Sequence, residues 1–501
     1  MKKQVILIMT DTTRQDMVGC YGNYAVNTPN LDRLAGEGIR YTNAYTCQPV
    51  CGPARSAMFT GMYPHSNGSF ANGIALGANN KTLGQRLTDN GIHCAFIGKW
   101  HLDGGDYFGL GRCPEGWDPE YWYDMRCYLE ELTEEERRLS RKGSTRELGI
   151  SADFTYGHRC ADRAVDFVEK YKDEDFFLTV SFDEPHDPSL CPEPYASMFK
   201  DYEFPKAPNV WDTLEGKPEY QKIWAGENLK TDRDKIKICM DGLLGCNAFI
   251  DTEIGRVIDV VRKNAPDSMI IYTSDHGEAC ESHCLNSKGA VMYKEVACIP
   301  FIVSGNKIKK NIVDDQPVSH IDLAPTIMEY MGLPIPKLLE GKSLLRAFTN
   351  PEHRINSCVF TEFTRYEQEL DGFGGLQMMR GAFDGRFKLV IHLLENIDEF
   401  YDTLNDPYEM HNLINSDEFY EEKKRLHEEI LDWMNRTRDP FRSYRWERRP
   451  WRKETLPLTW SYTGYARQRM DEEYEPKRLD YATGMPIEGA NRKKSEGSLP
   501  G

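Results

Sequence analysis

Cys51-Gly52-Pro53-Ala54-Arg55-Ser56-Ala57-Met58-Phe59-Thr60-Gly61 is the stretch on which the reading of this chain turns. Pro53 has no backbone N–H to donate and suits the first turn of a helix. Residues 53 to 60 are therefore expected to be helical, with Cys51 just ahead of the N-terminus. The helix dipole at that end favours a developing negative charge. Arg55 stays charged and presents a fork of donors to oxygen atoms. Cys-x-Pro-x-Arg fixes three positions in five, which a loop cysteine can match by chance. The longer string, through Met62-Tyr63-Pro64-His65 to Gly68, is far less accidental. Cys47 is an internal control. It heads Cys47-Gln48-Pro49-Val50-Cys51, with the proline but no arginine two places on, so Cys51 is singled out as the reactive position.

Outward from this stretch, Val5 to Thr10 reads as a buried strand ending at Asp11. Cys94 to Ile97, Phe176 to Phe182, Met269 to Thr273 and Pro300 to Val303 are further apolar runs. Helical patterns lie between them, as in Ala161 to Tyr171 and Ile238 to Lys263, and Thr28 reads as the N-cap of a helix opening at Pro29. Strands alternating with helices predict an α/β fold, a large and mostly parallel mixed sheet flanked by helices, over residues 1–355. Residues 356–437 change character. Val359 to Phe363, Met378 to His392 (broken by a turn at Asp384-Gly385) and Phe400 to Asp402 predict a smaller α+β domain on an antiparallel sheet, closed by a helix over Asp417 to Asn435. Residues 438–501 read as an extended basic and aromatic tail, with Arg442, Arg445, Arg448, Arg449 and Arg452 interleaved with Trp446 and Trp451. It is read as a strap over its own body in preference to an arm that contacts substrate or forms a homo-oligomer.

Asp11 and the pair Asp275-His276 each follow an apolar strand, where α/β proteins place ligands. Two carboxylates and an imidazole suit one divalent cation: Ca²⁺ or Mg²⁺ from the oxygen donors, Mn²⁺ once the histidine is counted. A rival zinc set, His276, Cys280, His283 and Cys284, is compressed within nine residues and uses His276 twice. His283 is given a structural role instead. The formal net charge of −17 argues against nucleic acid as a partner, and an anionic substrate must be drawn by local positive charge. No run of about 18 apolar residues suggests a membrane span. No leader is evident at the N-terminus. The expectation is a cytoplasmic protein or one whose leader has been removed. The 14 cysteines show no paired framework, which fits reduced thiols.

These motifs, taken in order, resemble the type I sulfatases of the alkaline phosphatase superfamily. The likeness rests on Asp11 to Gly22 ending in Gly-Cys-Tyr-Gly, the Cys51 stretch, Gly98-Lys99-Trp100-His101-Leu102, Pro185-His186-Asp187-Pro188, Ser274-Asp275-His276-Gly277, and Tyr401-Asp402 with Asp406-Pro407. The resemblance implies that a formylglycine-generating maturation enzyme oxidises Cys51 to an aldehyde. Its hydrate supplies one hydroxyl to attack sulfur and a second to collapse and expel sulfate. It implies a cation held by Asp11, position 51, Asp275 and His276. Arg55 and Lys99 would hold the diol, and Lys99, His186 and Lys288 the sulfate oxygens. His186 or Lys288 would protonate the leaving group, and His101 would take the proton of the second hydroxyl. By the same resemblance the substrate is a sulfated saccharide. Asn72, Asp103, His320 and Arg365 are candidates to read the sugar. Thr12 and His276 depart from the common family pattern of two adjacent aspartates and Asp-Asn. Those departures favour a phosphonate monoester or phosphodiester hydrolase as the alternative. A non-catalytic sulfoglycan-binding protein is the third reading, and it has no need of Cys51 or His101.

Overall fold

The computed structural model describes residues 2–104, 107–142, 149–238, 240–367, 370, 375–395 and 397–455. Met1–Arg452 form one compact body. Its centre is a seven-stranded sheet of β1 (Gln4–Thr10), β2 (Gly38–Tyr41), β3 (His93–Gly98), β4 (Phe176–Ser181), β5 (Met269–Ser274), β6 (Phe301–Ser304) and β7 (Ile312–Asp314), in the order β3-β4-β1-β5-β6-β2-β7. The pairs β3–β4, β4–β1, β1–β5 and β2–β7 are parallel, while β6 runs antiparallel to both β5 and β2. The sequence pattern located five of these strands. β2 and β7, at one edge, are too short to show a period.

Alternation along β1 explains why every residue of it is buried. Ile6 and Ile8 face one core with Phe167 of α3 (Tyr156–Tyr171) and Ile250 and Val257 of α4 (Asp241–Asn264). Leu31 and Leu34 of α1 (Pro29–Gly36) join them. Val5, Leu7 and Met9 face the opposite core, with Met58 and Phe59 of α2 (Cys51–Thr60) and Leu323 and Ile327 of α5 (Leu323–Tyr330). Thr28 does not cap α1 with its side chain; its Oγ1 accepts instead from the Gly19 N–H at 2.8 Å.

A second, antiparallel sheet has the order β8 (Val359–Arg365), β9 (Leu376–Phe383), β10 (Phe387–His392), β11 (Glu399–Asp402). The turn at Asp384-Gly385 is present, with Gly385 at φ 102°, a value a side chain would strain. Helix α6 (Tyr420–Arg436) covers the sheet through Trp433, whose ring stacks on Phe360 with centroids 4.8 Å apart. The basic stretch after it lies on the same body. Trp446 is fully buried, and Arg449 bonds Asp398 at 2.8 Å. The strap reading holds up to Arg452. The tail from 456 lies outside the described residues. No helix among the described residues is long and apolar enough to cross a membrane.

Candidate active site

Three strands of the large sheet deliver carboxylates to one point. Asp11 follows β1, Asp275 follows β5 and Asp183 lies two residues past β4. Helix α2 supplies the rest. It begins at Cys51 itself, with Val50 as its N-cap, so Cys51 is the first helical residue and not the residue ahead of the helix. Every residue of α2 is buried, which sets Arg55 one turn beyond Cys51 inside the molecule. Arg55 Nη2 lies 3.2 Å from Asp11 Oδ2, and its Nε donates to Asp275 Oδ2 at 3.0 Å. Its Nη1 donates to the Lys99 carbonyl at 2.6 Å and to Ser181 Oγ at 2.7 Å. Arg55 thus stitches the ends of β1, β3, β4 and β5 together.

Around it, Asp11, Cys51, Asp275 and His276 bring their ligand atoms within 4.8 Å of one another, and all four are buried. His276 Nδ1 donates to the Gly277 carbonyl at 2.8 Å, which turns Nε2 toward the cluster. That nitrogen is 3.1 Å from Cys51 Sγ, 3.7 Å from Asp11 Oδ1 and 3.6 Å from Asp275 Oδ1. The chain needs glycine at 277, since a Cβ there would fall 1.9 Å from the Glu295 carbonyl oxygen. Four electron-pair donors facing one another require a shared positive charge. Two carboxylates, an imidazole and the atom at position 51 therefore fit a divalent cation. The protonation pattern answers the same demand. Burial would lower His276, but Asp275 and Cys51 lift it to about 9. Burial and Asp11 raise Asp275 to about 6. Asp11 is held well below its ordinary value against burial by Lys99, His186, His276 and Lys288.

Cationic side chains are assembled around the same cluster. Lys99 Nζ is 2.8 Å from Asp11 Oδ2 and 2.9 Å from Asp183 Oδ1. Lys288 Nζ donates to His186 Nε2 at 2.9 Å. Burial and Asp11 push the Cys51 thiol up, but Lys288, His276 and Lys99 outweigh them and leave it well below its ordinary range. The Gly98–His101 run is not simply extended. Gly98 (φ 115°) and His101 (φ 59°) both take the left-handed region. A Cβ at Gly98 would sit 1.9 Å from the Ser181 carbonyl oxygen. Lys99 and His101 still reach the same site: burial lowers the pKa of the His101 imidazole, the Cys51 side chain near it acts in the opposite direction, and its buried Nδ1 has no hydrogen-bond partner.

The nine residues singled out in the sequence for chemistry, Arg55 among them, therefore meet here. Tyr107, Asp183 and Ser181 were missed. Asp183 carried a signal, a carboxylate just past a strand, as at Asp11 and Asp275. Tyr107 and Ser181 carried none. Among the sugar candidates, His320 is fully buried, with burial driving its pKa down to about 3, and packs between Thr46 and Thr273. It cannot touch a sugar. Asn72 supports the site from behind by accepting the Gly52 N–H at 2.9 Å, and Asp103 accepts the Leu110 N–H at 2.9 Å. The rival zinc set does not converge, because His283 bonds Asp212 at 2.6 Å and stacks on Tyr293.

A nucleophile-bearing helix end, a buried cation-fitting cluster and three cationic side chains, gathered at the carboxyl ends of a mostly parallel sheet, define an esterase site for tetrahedral anions. Residues 3–333 match the Sulfatase family model, and residues 283–436 match N-sulphoglucosamine sulphohydrolase, C-terminal. The chain belongs to the sulfatase family and is a sulfuric ester hydrolase. It is 43% identical over 498 residues to the uncharacterized sulfatase YidJ of Escherichia coli K12, covering 97% of each chain. The structure of an enzyme in complex with its substrate D-glucosamine-2-N,6-O-disulfate superposes with a TM-score of 0.71 at 21% identity, covering 91% of this chain and 100% of that one. The phosphonate monoester hydrolase of Agrobacterium radiobacter superposes at 0.70 with 22% identity, covering 87% and 96%. At those identities the likeness is one of fold.

Proposed function

We propose that the protein hydrolyses a sulfate ester on a small sulfated saccharide, through a formylglycine made from Cys51 and one divalent cation, Ca²⁺ first. The observation that carries this is the position of Cys51 at the first turn of α2, inside the acceptor cluster and near enough to Lys288 and Lys99 for their charge to hold its thiol down. A bound cation would neutralise charge on the sulfate and lower the cost of ionising an oxygen nucleophile. The residues of the chain do the rest. Lys99 and Lys288 present fixed positive charge and N–H groups to the sulfate oxygens, with His186 bonded to Lys288 at 2.9 Å, the kind of preorganisation that supplies the largest share of many rate enhancements. Arg55 locks Asp11 and Asp275 in place. Position 51 supplies the nucleophile, and His101, in contact with it, takes a proton when the second hydroxyl collapses.

A phosphonate monoester or phosphodiester hydrolase is the second reading. It is favoured by His276 in the ligand set and by Thr12, whose hydroxyl donates to Asp11 at 2.7 Å where the common family pattern has a second aspartate. The two readings part on substrate. Enzyme produced with a maturation enzyme is assayed on an aryl sulfate, an aryl phosphonate monoester and a panel of sulfated mono- and disaccharides. The sulfatase reading expects the highest kcat/KM on sulfates, with release of inorganic sulfate from a saccharide. A preference for the phosphonate would reverse the assignment.

A further inference from the structure

The pairing of Lys288 with His186 leaves open which of them gives the proton to the leaving oxygen, and donor–acceptor accounting around Tyr107 resolves it. Tyr107 Oη touches three groups: the Asp183 carboxylate, Lys99 Nζ at 3.0 Å and His186 Nδ1 at 3.2 Å. A carboxylate only accepts and an ammonium only donates. The single phenolic proton therefore goes to Asp183, and one lone pair takes Lys99. The contact with His186 then has to be an N–H of the imidazole donating to the remaining lone pair. The Asp187 carbonyl, 3.2 Å from the same Nδ1, makes the same demand independently. At the other end of the ring, Nε2 faces the Lys288 ammonium at 2.9 Å and must accept.

We propose that Tyr107 is a positioning residue that holds His186 as the Nδ1–H tautomer, so that Lys288, and not His186, protonates the leaving oxygen. The proposal rests on the sulfatase reading above. As the oxygen nucleophile at position 51 bonds to sulfur, the bond from sulfur to the ester oxygen breaks and its electron pair stays on that oxygen. Lys288 Nζ gives up one proton, the alcohol departs, and the amine regains a proton from water. His186 Nε2 orients the ammonium throughout but has no proton of its own to give. Tyr107 acts at one remove, by fixing the ring that aims Lys288. The phenyl face of Tyr107 also lies 4.1 Å from Lys99 Nζ. Tyr107→Phe therefore removes the hydroxyl and keeps the ring under the lysine, while Lys99 retains its direct bond to Asp183.

Two readouts test this. ¹⁵N spectra of histidine-labelled protein, with His186 assigned by its loss in His186→Gln, should show protonated Nδ1 and bare Nε2 in the wild type. Tyr107→Phe should lose that single form. A proton on Nε2 in the wild type overturns the proposal, and it does so whether or not the protein turns over sulfates. The second readout is leaving-group dependence in the mature enzyme. Tyr107→Phe should lose about 10- to 100-fold in kcat on an alkyl or sugar sulfate, which needs its oxygen protonated. It should lose less than about 3-fold on a nitrophenyl sulfate, which does not. An equal loss on both would make Tyr107 merely structural and defeat the proposal. A wild type silent on every sulfate would instead defeat the parent reading.

Discussion

Two clusters of buried charge in this molecule have similar ingredients and opposite bookkeeping. In the first, Asp212 accepts from Lys217 Nζ at 2.5 Å and from His283 Nδ1 at 2.6 Å, and Lys217 also donates to the Glu409 carbonyl at 2.7 Å. Glu409 in turn takes Lys388 at 2.6 Å and the Lys294 N–H at 2.7 Å. Every charge meets its opposite, and the network ties the loops around the large sheet to the second sheet. In the other cluster, Asp11, Asp275, His276 and Cys51 turn electron pairs toward one another. Matched charge belongs to a scaffold. Acceptors that still face one another despite Arg55 and Lys99 at their backs, unmatched among themselves, mark where something positive can bind.

The contrast can be broken by substitution, and the largest effect falls on the unmatched side. Cys51→Ala should abolish turnover while circular dichroism and the unfolding midpoint stay near wild type; residual multiple-turnover activity would place the nucleophile elsewhere. Next comes Asp275→Asn. The amide oxygen still accepts from the Thr12 and His276 N–H groups, 3.3 and 2.9 Å away in the wild type. Activity should fall roughly 10²–10³-fold or more, and metal content by elemental analysis should drop with it. In the metal-free protein the relieved repulsion from Asp11 opposes the loss of the Arg55 Nε bond to Asp275 at 3.0 Å, so the unfolding free energy should fall by less than the roughly 3–5 kcal/mol of a broken buried pair. A large loss of stability would mean that Asp275 belongs to the scaffold.

On the matched side the expectation inverts. Lys217→Met takes the ammonium from Asp212, leaving it only His283, and should cost about 3–5 kcal/mol in urea unfolding. The surviving folded fraction should turn over substrate at nearly the wild-type kcat. A smaller effect is the acid limb of stability. Burial would raise Asp212, but the His283 hydrogen bond and Lys217 hold it at about 2, below its ordinary 3.8. Its folded-state value is depressed, so the stabilisation is complete above pH 3.8 and is lost as pH falls through about 2. It amounts to about 2 kcal/mol. Asp212→Asn should flatten the stability profile across that window; an unchanged acid limb would show that the pairing contributes nothing.

Much of this was legible before any fold was in view, for identifiable reasons. β1, β4 and β5 are runs buried on both faces, so their apolar character survives in one dimension, and the polar residues that follow them announce the site. The Cys51 stretch joins a helix start to a buried arginine within one turn, again a local pattern. The strands β2 and β7 escaped because four and three residues are too few for a period. Tyr107 and Ser181 escaped because their role exists only where distant segments meet. His320 misled in the opposite direction: it was a candidate to read the sugar, and the fold packs it into the interior.

The account stands most directly on the chemistry of position 51. Mass spectrometry of the peptide spanning Ala44 to Met62, taken from enzyme whose activity on a sulfate ester has been measured, reads that side chain. The expected result is an aldehyde in place of the thiol, in a fraction that tracks specific activity across preparations. Fully active protein carrying only unmodified Cys51 would contradict it.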